Sequence, residues 1–230
     1  MEQERMRTLL IIPAYNEAES IERVVTEIVE DYPGYDYVIV NDCSSDATAD
    51  VCRTCKFRFI DLPINLGLAG AFQTGIKYAR KKDYDCAIQY DADGQHRPEY
   101  LDALVEATTT NDIVIGSRFL NEPKPKSMRM LGSNILEGIF RLTTHTDVTD
   151  PTSGMRAYGR RAIQLLASGP NLGPEPDTIA YLIRKKGLTV SEVQVHMGER
   201  LAGESYLTAG VSVSYMLRMV TSMLLFHHFR

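Results

Sequence analysis

The stretch Ala87–His96 reads AIQYDADGQH, an apolar run that ends in an acidic cluster. The run has the look of a buried β-strand, and Asp91 and Asp93 leave its end with Gln95 and His96 close behind. In an extended backbone Asp91, Asp93 and Gln95 fall on one side. Three oxygen donors so arranged suit a hard divalent cation, Mg²⁺ or Mn²⁺, which takes carboxylates together with substrate phosphates. Asp-Gly is equally turn chemistry, and aspartates facing solvent after a strand are common. The motif therefore takes its meaning from its surroundings.

Outward from it the chain alternates. Upstream, Arg7–Ile12 is a short apolar run stopped by Pro13. A helix follows from Asn16 or Glu17 to Asp31, with Ile21, Val24, Val25, Ile28 and Val29 at helical spacing. A strand at Tyr37–Val40, a helix over Asp46–Cys55, a short strand at Phe57–Ile60 and a helix over Gly67–Lys82 lead to the strand Cys86–Tyr90. Downstream, a helix starts at Pro98 and a strand covers Ile113–Ile115. Beyond Pro123 and Pro125 the alternation lapses: Met128–Arg141 reads as helix and DPTSGMRAY, from Asp150, as loop plus strand. Strands and helices in this order predict an α/β fold, a mostly parallel sheet covered on both faces. Ligands of such sheets bind beyond the carboxyl ends of the strands.

Several polar groups fall at those ends. In PAYNE, Pro13 stiffens the loop, Tyr15 offers a flat face to a base and Glu17 can orient polar ligand atoms, while Asn16 equally suits a helix cap. In VIVNDCSSDAT, Asp42 can accept hydrogen bonds from a base or ribose, and Asp46 fits a cap. NLGLAGAFQTG supplies the Asn65 amide and, at Gly67 and Gly70, room for backbone to approach a sugar or phosphate. It is neither a dinucleotide fingerprint nor a P-loop. Arg118 in GSRF, with Arg129, Arg156 and Arg200, can meet anionic oxygens. Asp150 suits a turn, or a carboxylate base if the acceptor is a hydroxyl.

Composition narrows the class. A chain of 230 residues, 44% hydrophobic, can bury a full core as one domain with a small appendage. A net charge of −5 argues against a nucleic-acid binder. Cys43, Cys52, Cys55 and Cys86 follow no disulfide framework and no signal peptide precedes them, so a cytoplasmic setting is expected. Cys52-x-x-Cys55 reads as structural, having no second ligand pair. His145, His196, His227 and His228 read as surface or packing residues. The stretch Leu207–Phe229 is interrupted by serines, a threonine and Arg218. It suits an amphipathic helix with Val211, Tyr215, Met219 and Leu224 or Phe226 on one face, packed in a core or homodimer or laid on a membrane.

PAYNE, VNDCSSDAT, NLGLAGAFQTG, DADGQH, GSRF and DPTSGMRAY in this order resemble the family 2 glycosyltransferases of the GT-A fold. Within that family they are most similar to the dolichyl- and polyprenyl-phosphate sugar synthases. The resemblance implies a catalytic domain over residues 1–206 followed by the tail 207–230. It implies that Pro13, Tyr15, Glu17, Asp42, Asn65, Gly67 and Asp91 hold the nucleotide. By the same resemblance Asp91, Asp93 and Gln95 hold Mg²⁺ or Mn²⁺, and Arg118, Arg129, Ser133 and Arg200 bind the lipid phosphate. The implied reaction is an inverting transfer from a UDP- or GDP-sugar to a polyprenyl phosphate. Asp93, Asp150 and Arg118 are then the catalytic candidates, and the enzyme is expected on the cytoplasmic face of a membrane or on a membrane partner protein. The alternative acceptor is a hydroxyl of a surface polysaccharide or glycan, with Asp150 as base.

Overall fold

The computed structural model describes residues 6–126, 128–169, 172–199 and 209–225. The side chains of Met128, Arg129, 209–213 and Leu225 lie outside that description, as do Arg200 and the 201–208 stretch. Seven strands form one sheet: β1 (Thr8–Ala14), β2 (Asp36–Asn41), β3 (Phe59–Asp61), β4 (Cys86–Gln89), β5 (Ile113–Ser117), β6 (Arg156–Gly159) and β7 (Val190–Gln194). Their order is β3-β2-β1-β4-β6-β5-β7. All pairings are parallel except those of β6, which runs antiparallel between β4 and β5.

Period-two alternation divides the sheet's side chains between two layers. Leu10, Ile12, Ile39 and Ile88 pack with α1 (Ile21–Asp31), α2 (Thr48–Thr54) and α4 (Leu101–Ala107). Leu9, Ile11, Val38, Ala87 and Tyr158 face the other way. There they meet α3 (Gly67–Lys81), α5 (Met128–Thr144), α6 (Arg160–Ser168), α7 (Pro176–Lys186) and α8 (Ala209–Leu225). Helix α3 lies close on β1 because residue 75 is glycine; a Cβ there would sit 2.2 Å from Ile11 Cγ2.

The periodic elements fall where the sequence puts them, with informative shifts at the ends. β1 does not stop before Pro13 but continues through it to Ala14. Ile11 O accepts from Tyr90 N–H on the β4 side, so Pro13, two residues on, points the same way beyond the last β4 residue, Gln89. Its missing N–H costs no ladder bond there. The first helix begins at Ile21, not near Asn16. Asn16 has φ 58°, a left-handed conformation asparagine tolerates, and its side chain is used across the sheet mouth. Cys52 is buried, its thiol pushed by burial up to about 11, and no disulfide joins it to Cys55. In α8, Met219 and Met223 join the core and Tyr215 packs beside them, whereas Leu224 faces solvent, 44% exposed, off the expected face. Val211 and Phe226 lie outside the described side chains. No described helix is long and apolar enough to cross a membrane.

Candidate active site

At the carboxyl ends of β1 and β2, two loops are bonded to each other. Asn16 Oδ1 accepts from the Ser45 and Asp46 N–H groups, at 2.8 and 3.3 Å, and Ser44 Oγ accepts the Asn16 N–H. The Glu17 N–H donates to Thr48 Oγ1 and the Ala18 N–H to Asp46 Oδ2. Burial raises the Asp46 carboxyl, but the donors Thr48 and Ala18 outweigh it and hold the group below its ordinary value. Asp46 thus serves both loops. Tyr15 stands out from this floor, about half exposed. Asp42 is buried, and its Oδ1 accepts the Leu66 N–H at 2.7 Å, fixing the loop that carries Asn65 into Gly67. Asn65 Oδ1 in turn accepts the Gly67 N–H, and Gly67 opens α3 with φ 71°.

The Asp91–Gln95 segment is a turn, not an extended strand. β4 ends at Gln89, and Gly94 has φ 79°. Strand alternation therefore does not align Asp91, Asp93 and Gln95. Nor does Asp93 face solvent: it is 6% exposed, and its Oδ1 accepts the Gln95 N–H at 2.9 Å. His96 is the buried brace of the turn. Its Nδ1 accepts the Asp91 N–H at 2.9 Å, so in the neutral ring the proton sits on Nε2, 3.4 Å from Asp91 Oδ2. Tyr90 donates its hydroxyl to His96 O and packs edge-on to the imidazole. The other Asp91 oxygen, Oδ1, receives the Gln89 amide at 3.3 Å.

The DPTSG loop closes on this carboxylate. A Cβ on Gly154 would lie 2.9 Å from Asp91 Oδ2 and 3.4 Å from His96 Nε2, so the bare Cα of Gly154 leaves the carboxylate its place. Among the described residues no three His, Cys, Asp or Glu side chains form a closed metal cage. Asp91 and Asp93 put two carboxylates in one turn, followed in sequence by the Gln95 amide; these are oxygen donors of the kind Mg²⁺ or Mn²⁺ accepts alongside phosphates.

Asp150 is fully buried and taken by Arg118. Arg118 Nε donates to Oδ2 at 2.7 Å, Nη2 to Oδ1 at 2.9 Å and the Arg118 N–H to Oδ2 at 3.2 Å; Thr152 Oγ1 adds a bond at 3.1 Å. Burial pushes the Asp150 carboxyl up, but the Arg118 fork prevails and holds it below the carboxylate range. A carboxylate in that state is a poor proton acceptor, which counts against the base role the hydroxyl-acceptor reading needs. Its backbone is clamped from β7: Glu192 accepts from the Thr149 and Asp150 N–H groups at 2.8 and 3.0 Å. Gln194 bonds Arg118 O and the Asn121 N–H. Sequence reasoning missed both; Glu192 and Gln194 alternating with Val193 and Val195 is the strand signal that marks them. Ser133 Oγ on α5 is buried without a hydrogen-bond partner among the described residues.

The structure thus gathers Asp91, Asp93, His96 and Gly154 at one end of the strand, and Arg118 with Asp150 beside them on the β5–β6 side. Pro13, Tyr15, Glu17 and Asp42 fall on the β1–β2 side. Arg200 and the Arg129 side chain lie outside the described residues.

A mostly parallel α/β sheet with acidic and basic groups gathered at its strand ends is an architecture that nucleotide-sugar transferases use. The chain belongs to glycosyl transferase family 2, whose model matches residues 9–166. It is 33% identical over 221 residues to undecaprenyl-phosphate mannosyltransferase of Micrococcus luteus, covering 90% of this chain and 89% of that one. It is 31% identical over 228 residues to dolichol-phosphate mannosyltransferase of Pyrococcus furiosus, covering 92% of this chain and 62% of that one. Glucosyl-3-phosphoglycerate synthase from Mycobacterium tuberculosis, solved with Mn²⁺, UDP and glucosyl-3-phosphoglycerate, superposes with a TM-score of 0.68 at 20% identity. That match covers 96% of this chain and 80% of the synthase and shares the GT-A fold.

Two outcomes follow from this geometry. Gly154→Ala should displace Asp91 while the chain stays folded, weakening Mn²⁺-dependent nucleotide binding about tenfold or more in calorimetry, with the melting curve little changed. Asp150 has a depressed carboxyl, so its contribution to stability is present above the unfolded value of about 3.9 and lost as pH falls through the folded one. Urea melts of wild type and Asp150→Asn should therefore differ by a constant amount around neutral pH and converge only below about pH 4.

Proposed function

We propose that this glycosyltransferase moves a sugar from a UDP- or GDP-sugar to the phosphate of a polyprenyl phosphate, with inversion at the anomeric carbon. The observation that carries the reading is the Arg118–Asp150 fork. The carboxylate at the acceptor side is spent on holding a guanidinium, which suits a nucleophile that is already an anion and needs no base. The activities named for the mannosyltransferases of Micrococcus luteus and Pyrococcus furiosus point the same way.

On this reading the face of Tyr15 stacks the base, and Asp42 and Glu17 line the nucleotide's side of the cleft. Asp91 and Asp93, with Gln95, would hold Mg²⁺ or Mn²⁺, which when bound offsets the charge that gathers on the departing diphosphate. Arg118, its position fixed by Asp150, draws in the acceptor phosphate, and the Ser133 hydroxyl, which shows no partner among the described residues, supplies a donor. Arg129 and Arg200 complete this set. The arginines offset the repulsion between two anionic substrates, and a phosphate oxygen attacks the anomeric carbon opposite the diphosphate.

A lipid acceptor requires the site to meet a membrane. Leu131, Ile135 and Leu142 on α5 repeat at i, i+4 and i+11, and Leu217 and Leu224 on α8 at i and i+7; all are exposed. Each set forms one stripe on two helices that pack together, where Met216 reaches Gly132. These stripes support a peripheral position on the membrane surface.

The deciding assay offers a polyprenyl phosphate and the matching free polyprenol, with donor and Mn²⁺ in excess. Glycosylation of the phosphate alone, abolished by excess EDTA, is expected. Glycosylation of the alcohol and not the phosphate would overturn the acceptor assignment.

A further inference from the structure

Beneath Asp91 the sheet carries polar side chains that the reaction above leaves unused. Gln89 on β4 and Arg156 on β6 are register partners across the antiparallel pair. Both point to the layer of Ala87 and Tyr158, since their strand neighbours Ile88 and Ala157 belong to the opposite one. Directly opposed residues on one face lie within side-chain reach. Each is only 2% exposed, so neither end can turn to bulk water.

Their hydrogen bonds run in two different directions. Gln89 Nε2 donates to Asp91 Oδ1 at 3.3 Å, and Arg156 Nη2 donates to Pro151 O at 2.7 Å, in the loop beside Asp150. What remains between them is an unmatched set. Among the described residues Gln89 Oε1, Arg156 Nε and Arg156 Nη1 show no hydrogen-bond partner, and the buried Tyr158 hydroxyl lies beside the Arg156 guanidinium. No carboxylate of the described residues makes an ion pair with Arg156; the Glu175 carboxyl, raised by burial, lies farther off but within reach of its charge. Buried polar atoms are seldom left in this condition because the desolvation goes uncompensated. One acceptor and two nitrogen donors on directly opposed residues of one face are a set that a buried water can bridge.

We propose that Gln89 and Arg156 are positioning residues, joined through a buried water into a relay that fixes the Asp91 carboxylate relative to the Asp150–Pro151 loop. The relay rests on the reading of Asp91 as a diphosphate and cation ligand. The Gln89 amide is bonded to Asp91 Oδ1, while His96 Nε2 stands 3.4 Å from Oδ2, so loss of the amide leaves the carboxylate with the imidazole contact alone. Because Arg156 grips the loop that carries Asp150, the donor and acceptor halves of the cleft share one internal support. Neither residue touches substrate.

Gln89→Leu tests this, since it keeps the volume and removes both polar ends. Calorimetry of UDP and GDP binding, with Mn²⁺ and with EDTA, should show about tenfold weaker binding in Mn²⁺ and unchanged binding in EDTA, with the melting temperature kept. Gln89→Glu, which sets a second carboxylate against Asp91, should weaken the Mn²⁺-dependent part further. Arg156→Met should resemble Gln89→Leu, and the double variant should be no worse than either alone. If Arg156→Met fails to fold, the two Gln89 variants decide by themselves. Wild-type affinity for Gln89→Leu in Mn²⁺ overturns the relay and leaves the donor site standing. A wild-type protein that binds neither nucleotide in Mn²⁺ overturns the donor-site reading and the relay with it.

Discussion

The antiparallel insertion of β6 between β4 and β5 is the constraint on which the cleft depends. Running backwards, β6 starts at the edge where its neighbours end, so the loop before it is delivered against the turn after β4. Gly154 meets Asp91 and His96 there, and Asp150 meets Arg118 at the end of β5. A parallel strand in that slot would begin at the far edge of the sheet, and the two loops could not touch.

Charge at this edge is arranged in pairs with different degrees of freedom. Asp91 is held through the Gln89 amide and, by its backbone N–H, through the buried His96 ring. Asp150 is held by a guanidinium fork that neutralises it and withdraws it from proton chemistry. The two aspartates thus differ in what is left to them: the Asp91 side chain is 35% exposed and keeps its charge open to the cleft, whereas Asp150 is fully buried against its arginine.

Much of this was legible in the sequence because it follows from short-range rules. Apolar runs gave β1, β2, β4 and β5, and helical spacing gave α1 and α3. Motif order placed PAYNE, Asp42 and DADGQH at strand ends. Element ends were less legible: Pro13 sits inside β1 because β4 happens to stop short, a tertiary fact. The Asp91–Gln95 turn defeated the alternation argument through Gly94, whose left-handed backbone the sequence allows without requiring. The role of Asp150 was hidden for a stronger reason. An isolated carboxylate fits both a base and an anchor, and only the approach of Arg118 from 32 residues upstream separates them. Glu192 and Gln194 act on loops more than 40 and 70 residues away, which no local pattern records.

The cross-bonded loops after β1 and β2 carry a thermodynamic consequence. Asn16, with Ser44, Ser45, Asp46 and Thr48, closes its hydrogen bonds within the two loops. Any ligand that docks there meets a surface whose conformational entropy has already been surrendered during folding, so little further ordering opposes association. Side-chain oxygens of Asn16, Ser44, Asp46 and Thr48 accept all of those bonds, so these residues are committed to scaffolding, while the half-exposed Tyr15 ring beside them is free to change without loosening the floor.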